Sequence, residues 1–141
     1  MKRRLLLAGS AALLAIRPAQ ATPVQVAALI RDLVGGAPLT QGNMKLDLPV
    51  MVENGNTVSV TVSVDAQPGA VHSLHLFAEG NPLPEVMHFS FGPRAGLPRV
   101  QTRIRLATSQ TVIAIAQMRD GTFRQDSVDL LVTLAACIDE I

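Results

Sequence analysis

Thr57-Val58-Ser59-Val60-Thr61-Val62-Ser63-Val64 alternates without a fault: valine at every even position, serine or threonine at every odd one. Successive side chains of a strand point to opposite faces, so this period of two gathers four valines on one side and four hydroxyls on the other. A helix would scatter the same valines around its axis. Val and Thr are also β-branched, which suits a pleated surface better than a helix. The stretch therefore reads as a half-buried strand, and its valine face requires an apolar layer opposite.

The same reading extends in both directions. Upstream, Met44, Leu46 and Leu48 alternate with Lys45 and Asp47 before Pro49 closes the segment, and Asn54-Gly55-Asn56 supplies a turn. Downstream, residues 71–78 and 86–91 are strand candidates separated by Gly80-Asn81-Pro82. Val100, Thr102, Ile104 and Leu106 alternate with Arg99, Gln101, Arg103 and Arg105. Residues 111–118 are more continuously apolar, as expected of a central strand, and Asp120-Gly121 signals a hairpin. Phe123 and its neighbours start the returning strand, and residues 128–134 end the fold. About seven short strands with regular turns predict an all-β fold, an antiparallel β-sandwich of immunoglobulin type over residues 44–134. With one cysteine and no tryptophan, the chain lacks the Cys…Trp…Cys pattern of antibody domains, so that likeness is architectural.

Ahead of the sandwich, Val26, Leu29, Ile30 and Leu33 lie at helical spacing. Thr22 is placed to cap this short helix, Pro23 fits its first turn and Gly35-Gly36 can end it. Its apolar stripe needs cover, from the domain or from a partner. Residues 37–43 are rich in turn formers and read as a linker, so residues 22–43 form an N-terminal helix and linker.

Lys2-Arg3-Arg4, the apolar run from Leu5 to Ile16 and Ala19-Gln20-Ala21 make up a secretory signal peptide over residues 1–21. The run is too short to span a bilayer. Arg3-Arg4 allow twin-arginine export, although Lys2 before the pair and Leu5-Leu6 after it fit an ordinary Sec signal equally. The expected destination is the periplasm, with no membrane contact in the mature form. Removing residues 1–21 from 141 leaves 120, enough for one domain. Lys2, Arg3, Arg4 and Arg17 leave with the signal, so 8 of 12 basic residues face 11 acidic ones, a net charge of about −3. Such a chain has no general attraction for nucleic acid.

Few residues offer chemistry. His72 and His75 would point to opposite faces of one strand, and no Asp, Glu or Cys accompanies them or His88 at ligand spacing, so no metal and no cofactor are expected. Arg99, Arg103 and Arg105 share one strand face, with Arg94, Arg119 and Arg124 nearby in sequence; they suit an acidic protein patch or small anions, or simply a solvated face. No nucleophile elbow, phosphate loop or dinucleotide fingerprint occurs, and nothing joins Ser73 or Ser90 to a histidine in a triad, so the domain does not read as an enzyme. Cys137, the lone cysteine, is different. It sits near the C-terminus in an arm formed by residues 135–141. A lone cysteine in an exported chain is an intermolecular bridge, a spare thiol or a thiol used for chemistry. Packing at the end of a strand is the competing role.

The strand series resembles the SoxY family, sulfur carriers of periplasmic thiosulfate oxidation. The resemblance is carried by Leu46-Asp47-Leu48-Pro49, the run from Glu53 to Asp65, His75-Leu76-Phe77-Ala78-Glu79-Gly80-Asn81-Pro82, Thr102-Arg103-Ile104-Arg105-Leu106-Ala107 and Ala116-Gln117-Met118-Arg119-Asp120-Gly121-Thr122-Phe123. It implies an immunoglobulin-like sandwich paired with a SoxZ subunit as a heterodimer. It further implies a Gly-Gly-Cys-Gly-Gly arm whose cysteine, Cys137 here, holds sulfur intermediates covalently. Such an arm is passed between a c-type cytochrome that attaches thiosulfate, a hydrolase that releases sulfate and a sulfane dehydrogenase, so the carrier itself does no catalysis.

The arm departs from the family pattern. Ala135-Ala136 and Ile138-Asp139 stand where glycines are expected, and Glu140-Ile141 extend the tail. Each alanine narrows backbone freedom, at about 0.5–1 kcal/mol. Each carboxylate repels a bound anion by only about 0.5 kcal/mol at roughly 8 Å in water, and salt reduces that. Two alternatives to a working carrier follow: a degenerate paralogue that keeps the partner-binding sandwich but does not cycle sulfur, and an unrelated secreted immunoglobulin-like binding module.

Overall fold

Alternation and turn chemistry produce the elements largely where the sequence places them. The computed structural model describes residues 22–134. In chain order they form α1 (Pro23–Val34), β1 (Leu39–Gln41), β2 (Met44–Asp47), β3 (Met51–Val52), β4 (Val58–Val64), β5 (Val71–Ala78), β6 (Glu85–Ser90), β7 (Arg99–Ile104), β8 (Gln110–Met118) and β9 (Phe123–Val132). The signal peptide and the Cys137 arm lie outside the described residues. Among the described residues no helix is long and apolar enough to cross a membrane.

The strands make two facing sheets. The larger runs β1-β9-β8-β5-β6, with β3 also pairing β9; the smaller runs β2-β4-β7. All neighbours are antiparallel except β1 and β3, which lie parallel to β9. Val58, Val60, Val62 and Val64 face the larger sheet as their alternation requires, meeting Leu74, Leu76 and Ala78 of β5 and Val112, Ala114 and Ala116 of β8 in one apolar cluster. The fold is thus the all-β sandwich expected.

Residues 37–43 are more than a linker. They contain β1, three residues held to β9 from Leu39↔Phe123 to Gln41↔Gln125. Met51 and Val52 add another short parallel pairing, to Leu131 and Val132. Helix α1 covers the outer face of the larger sheet. Val26 and Ile30 close over Phe77, Ile113, Ile115 and Phe123 in a second apolar cluster. The domain, then, takes Val26, Ile30 and part of Leu33 from the helix's apolar stripe and leaves Leu29 exposed. Strand β8 is consequently buried on both faces, Val112, Ala114 and Ala116 inward and Ile113 and Ile115 beneath the helix. That double burial explains its unbroken apolar run.

Caps and clamps fix the connections. Thr22 and Gln25 form a reciprocal capping box, and Gly35 ends α1 in a left-handed conformation with its N–H on the Arg31 carbonyl. Asn81 is buried: its Nδ2 donates to the Arg105 carbonyl at 2.8 Å, and its Oδ1 accepts from the Ala107 N–H at 2.9 Å. The turn between β5 and β6 is thereby tied to the connection between β7 and β8. At the β8–β9 hairpin, bonds from the Thr122 hydroxyl and N–H hold the Asp120 carboxyl below its ordinary range.

Candidate functional site

Cys137 lies outside the described residues, but the root of its arm is well defined. Strand β9 ends at Val132, and the backbone stays anchored for two residues more. The Thr133 N–H donates to the Val52 carbonyl at 2.9 Å, and its hydroxyl donates to the Val52 and Glu53 carbonyls at 3.3 and 3.2 Å. The Leu134 carbonyl accepts from the Gly55 N–H at 2.8 Å. The turn Asn54-Gly55-Asn56 and β3 thus both hold the end of the described chain, at Leu131 to Leu134.

The root is bordered by exposed apolar side chains. Met51 and Leu131 are register partners on one face of the β3–β9 pair, and Val50, whose carbonyl accepts from the Leu131 N–H, and Leu134 are exposed beside them. By contrast, the outer face of the smaller sheet is polar: Ser59, Thr61 and Ser63 lie opposite Arg103, Gln101 and Arg99. Arg99 and Arg103 are exposed on the edge strand β7, with Arg105 just beyond it. Charged edges discourage strand addition by another chain. Arg119 and Arg124 do not join that face. Arg119 donates to the Phe91 carbonyl at 2.7 Å, and Arg124 donates to the carbonyls of Asn43 and Asp65 at 3.1 and 2.7 Å.

The histidines depart from the sequence expectation. His72 is exposed at a register shift in β5, and His75 and His88 are cross-strand partners with ring centroids 4.2 Å apart. An acidic group does accompany them: Glu85 Oε1 is 3.5 Å from His75 Nδ1 and 3.7 Å from His88 Nδ1. The cause is a bulge. Leu76 pairs with Met87 but Phe77 pairs with Glu85, so one residue of β6 is extra. Val86 and Met87 both turn inward, and Glu85 returns to the outer face with His88. Without the bulge, residues 85 and 88 would point to opposite faces. Burial, then the neighbouring His88, holds the His75 imidazole below its ordinary range against the pull of Glu85.

The sequence matches the family described as sulfur oxidation protein SoxY over residues 30–137, a span that closes on Cys137. Among curated proteins, none matches the chain. Among solved structures, the sulfur carrier protein SoxY from Chlorobium limicola f. thiosulfatophilum is similar at 26% identity and a TM-score of 0.66, covering 79% of this chain and 98% of that one. A superoxide reductase (neelaredoxin) from Ignicoccus hospitalis is similar at 21% identity and a TM-score of 0.55, covering 64% of this chain and 80% of that one. The superoxide reductase from Nanoarchaeum equitans shares 14% identity at a TM-score of 0.52, covering 62% and 91% of the two chains. The two reductases share the sandwich, and at these identities the likeness is one of fold. The match over most of the sequence decides the family: this chain belongs to the SoxY family of sulfur oxidation proteins.

Proposed function

We propose that this chain is a periplasmic sulfur carrier of the Sox system, not an enzyme, and that it holds sulfur intermediates covalently on Cys137. One observation carries the reading. The family match runs through Cys137, and the chain is anchored at Leu134, three positions before it. The sandwich holds the chain at Thr133 and Leu134, and a thiol three residues beyond a fixed root suits presentation to other proteins. Joining thiosulfate to the Cys137 thiolate forms one S–S bond and releases two electrons, for which the c-type cytochrome is the proposed acceptor; attack of another thiolate on that bond frees the Cys137 thiolate again. The apolar border of Val50, Met51, Leu131 and Leu134 gives a partner a surface beside the arm. A SoxZ-like subunit is the proposed stable partner. The c-type cytochrome, the sulfate-releasing hydrolase and the sulfane dehydrogenase are transient ones. Residues 1–21 serve export.

The replaced arm glycines favour a second reading, the degenerate paralogue that binds its partner and carries nothing. Membership of the family argues against the unrelated binding module. Intact mass separates the first two. Protein from thiosulfate-oxidising cells should show mass increments on the C-terminal peptide that reductant removes, and Cys137→Ser should keep the fold and lose every increment. Unmodified wild-type protein in the presence of active Sox enzymes and thiosulfate would leave the paralogue reading in its place.

A further inference from the structure

The geometry points to a divalent transition-metal site, fitted best to Zn²⁺, formed by His75, Glu85 and His88 on the outer face of the larger sheet. One nitrogen from each ring and one Glu85 oxygen all lie within 4.8 Å of one another. Tetrahedral zinc with bonds near 2.0–2.1 Å holds its ligand atoms about 3.3 Å apart. The 3.5 and 3.7 Å separations between Glu85 Oε1 and the two Nδ1 atoms already approach that spacing. Only the two rings must close further, and the side chain of His88, 54% exposed, is free to move.

Residues behind the site orient it. The Ser73 hydroxyl donates to Gln117 Oε1 at 3.1 Å, so Ser73 Oγ is left to accept from His75 Nε2–H, 3.0 Å away. That chain accommodates the tautomer with its proton on Nε2. In that tautomer His75 Nδ1 keeps its lone pair and directs it at a carboxylate oxygen and, beyond that, at His88. Three electron-pair donors then converge there, and a cation between them resolves the contact. Metal-ligating histidines commonly donate their second ring N–H in this way, which sets ring orientation and ligand basicity. Two histidines with one carboxylate suit zinc and its neighbours rather than magnesium or calcium. His75 is only 6% exposed, while the Glu85 side chain is 44% exposed, so the remaining coordination position faces solvent and takes water or a small anion.

The site is separate from the root of the arm. His75 is in register with Ile115 of β8 and, through it, with Gln125 of β9. From Gln125 to Val132 the strand advances about 23 Å, at roughly 3.3 Å per residue. The sulfur chemistry proposed for Cys137 therefore neither supplies nor requires this metal.

Calorimetric titration of the full mature chain with Zn²⁺, checked by the visible spectrum of Co²⁺ in its place, tests the assignment. One ion should bind per chain. Glu85→Gln and His88→Ala, both at exposed side chains, should each weaken binding at least tenfold with the circular dichroism spectrum unchanged. Ser73→Ala should weaken it by about 10–100-fold by freeing the His75 ring. Cys137→Ser and His72→Ala should bind as the wild type does. Absence of saturable one-to-one binding would overturn the proposal, and a proton between His75 and Glu85 would then replace the metal. Wild-type affinity in both Glu85→Gln and His88→Ala would overturn it too, as would loss of binding in Cys137→Ser or His72→Ala.

Discussion

Strand β5 has two faces, and they are built for different ends. Leu74, Leu76 and Ala78 point inward and meet the valines of β4 in a wholly apolar layer. Ser73, His75 and Phe77 point outward. There Phe77 is covered by α1, while Ser73 and His75 join Gln117, Glu85 and His88 in a polar cluster beside it. The inner face has a single task, removal of apolar area from water. The outer face is shared between a helix that completes the core and a cluster that no packing requirement explains. Residue type on the inner face follows from burial, whereas on the outer face it follows from which neighbour strand pairing supplies.

The largest effect should come from the inner face. Leu76 is fully buried between the sheets, so Leu76→Ala removes apolar contacts and leaves a cavity. A loss of about 2–5 kcal/mol is expected, measured as a lower urea midpoint with an unchanged slope. A loss near zero would mean that the two sheets are not held by this layer. The helix-covered part of the outer face should respond less. Val26 is fully buried against the larger sheet, and Val26→Ala should cost about 1–3 kcal/mol. Hydrogen exchange should localise the loss to α1 before the sandwich opens, since the helix is one layer on a finished sheet. Uniform loss of protection would show that helix and sandwich unfold as one unit.

The two faces also differ in how far they could be read from sequence. The valines of β4 and the apolar run of β8 are visible because burial dictates residue type directly. The lone Cys137 stands out for the same kind of local reason, and the helix ends at Thr22 and Gly35 follow from capping chemistry. Strands β1 and β3 were hidden because they are two or three residues long and depend on parallel pairing with β9 far along the chain. Asn81 reads as a turn former in Gly80-Asn81-Pro82, but its role is set by Arg105 and Ala107, which only the tertiary fold brings close. The histidine cluster was illegible for a sharper reason. A strict period of two sends His72 and His75 to opposite faces and Glu85 away from His88. A register shift in each pairing of β5 breaks that period, between Val71 and Ser73 and between Leu76 and Phe77. Bulges leave almost no mark on composition, so the residue that completes the cluster is the one that spacing rules out.

The smallest effect should be that of Glu85→Gln in metal-free protein, and its smallness sharpens the contrast. Glu85 is half exposed and borders two histidines without filling any part of the core. A packing role would make its replacement costly; a role in holding a cation would not, as long as no cation is present. The neutral amide keeps the shape, and exposed charge pairs contribute little in water, so the unfolding free energy should change by less than about 0.5 kcal/mol. The difference should appear only when Zn²⁺ is added. An ion that binds the folded chain alone stabilises it by about 2.7 kcal/mol at a hundredfold excess over the dissociation constant. Wild-type protein should gain that increment, and Glu85→Gln should gain much less at the same concentration. A metal-free loss of several kcal/mol in the variant would instead make the outer cluster structural, and the two faces of β5 would then differ in composition but not in purpose.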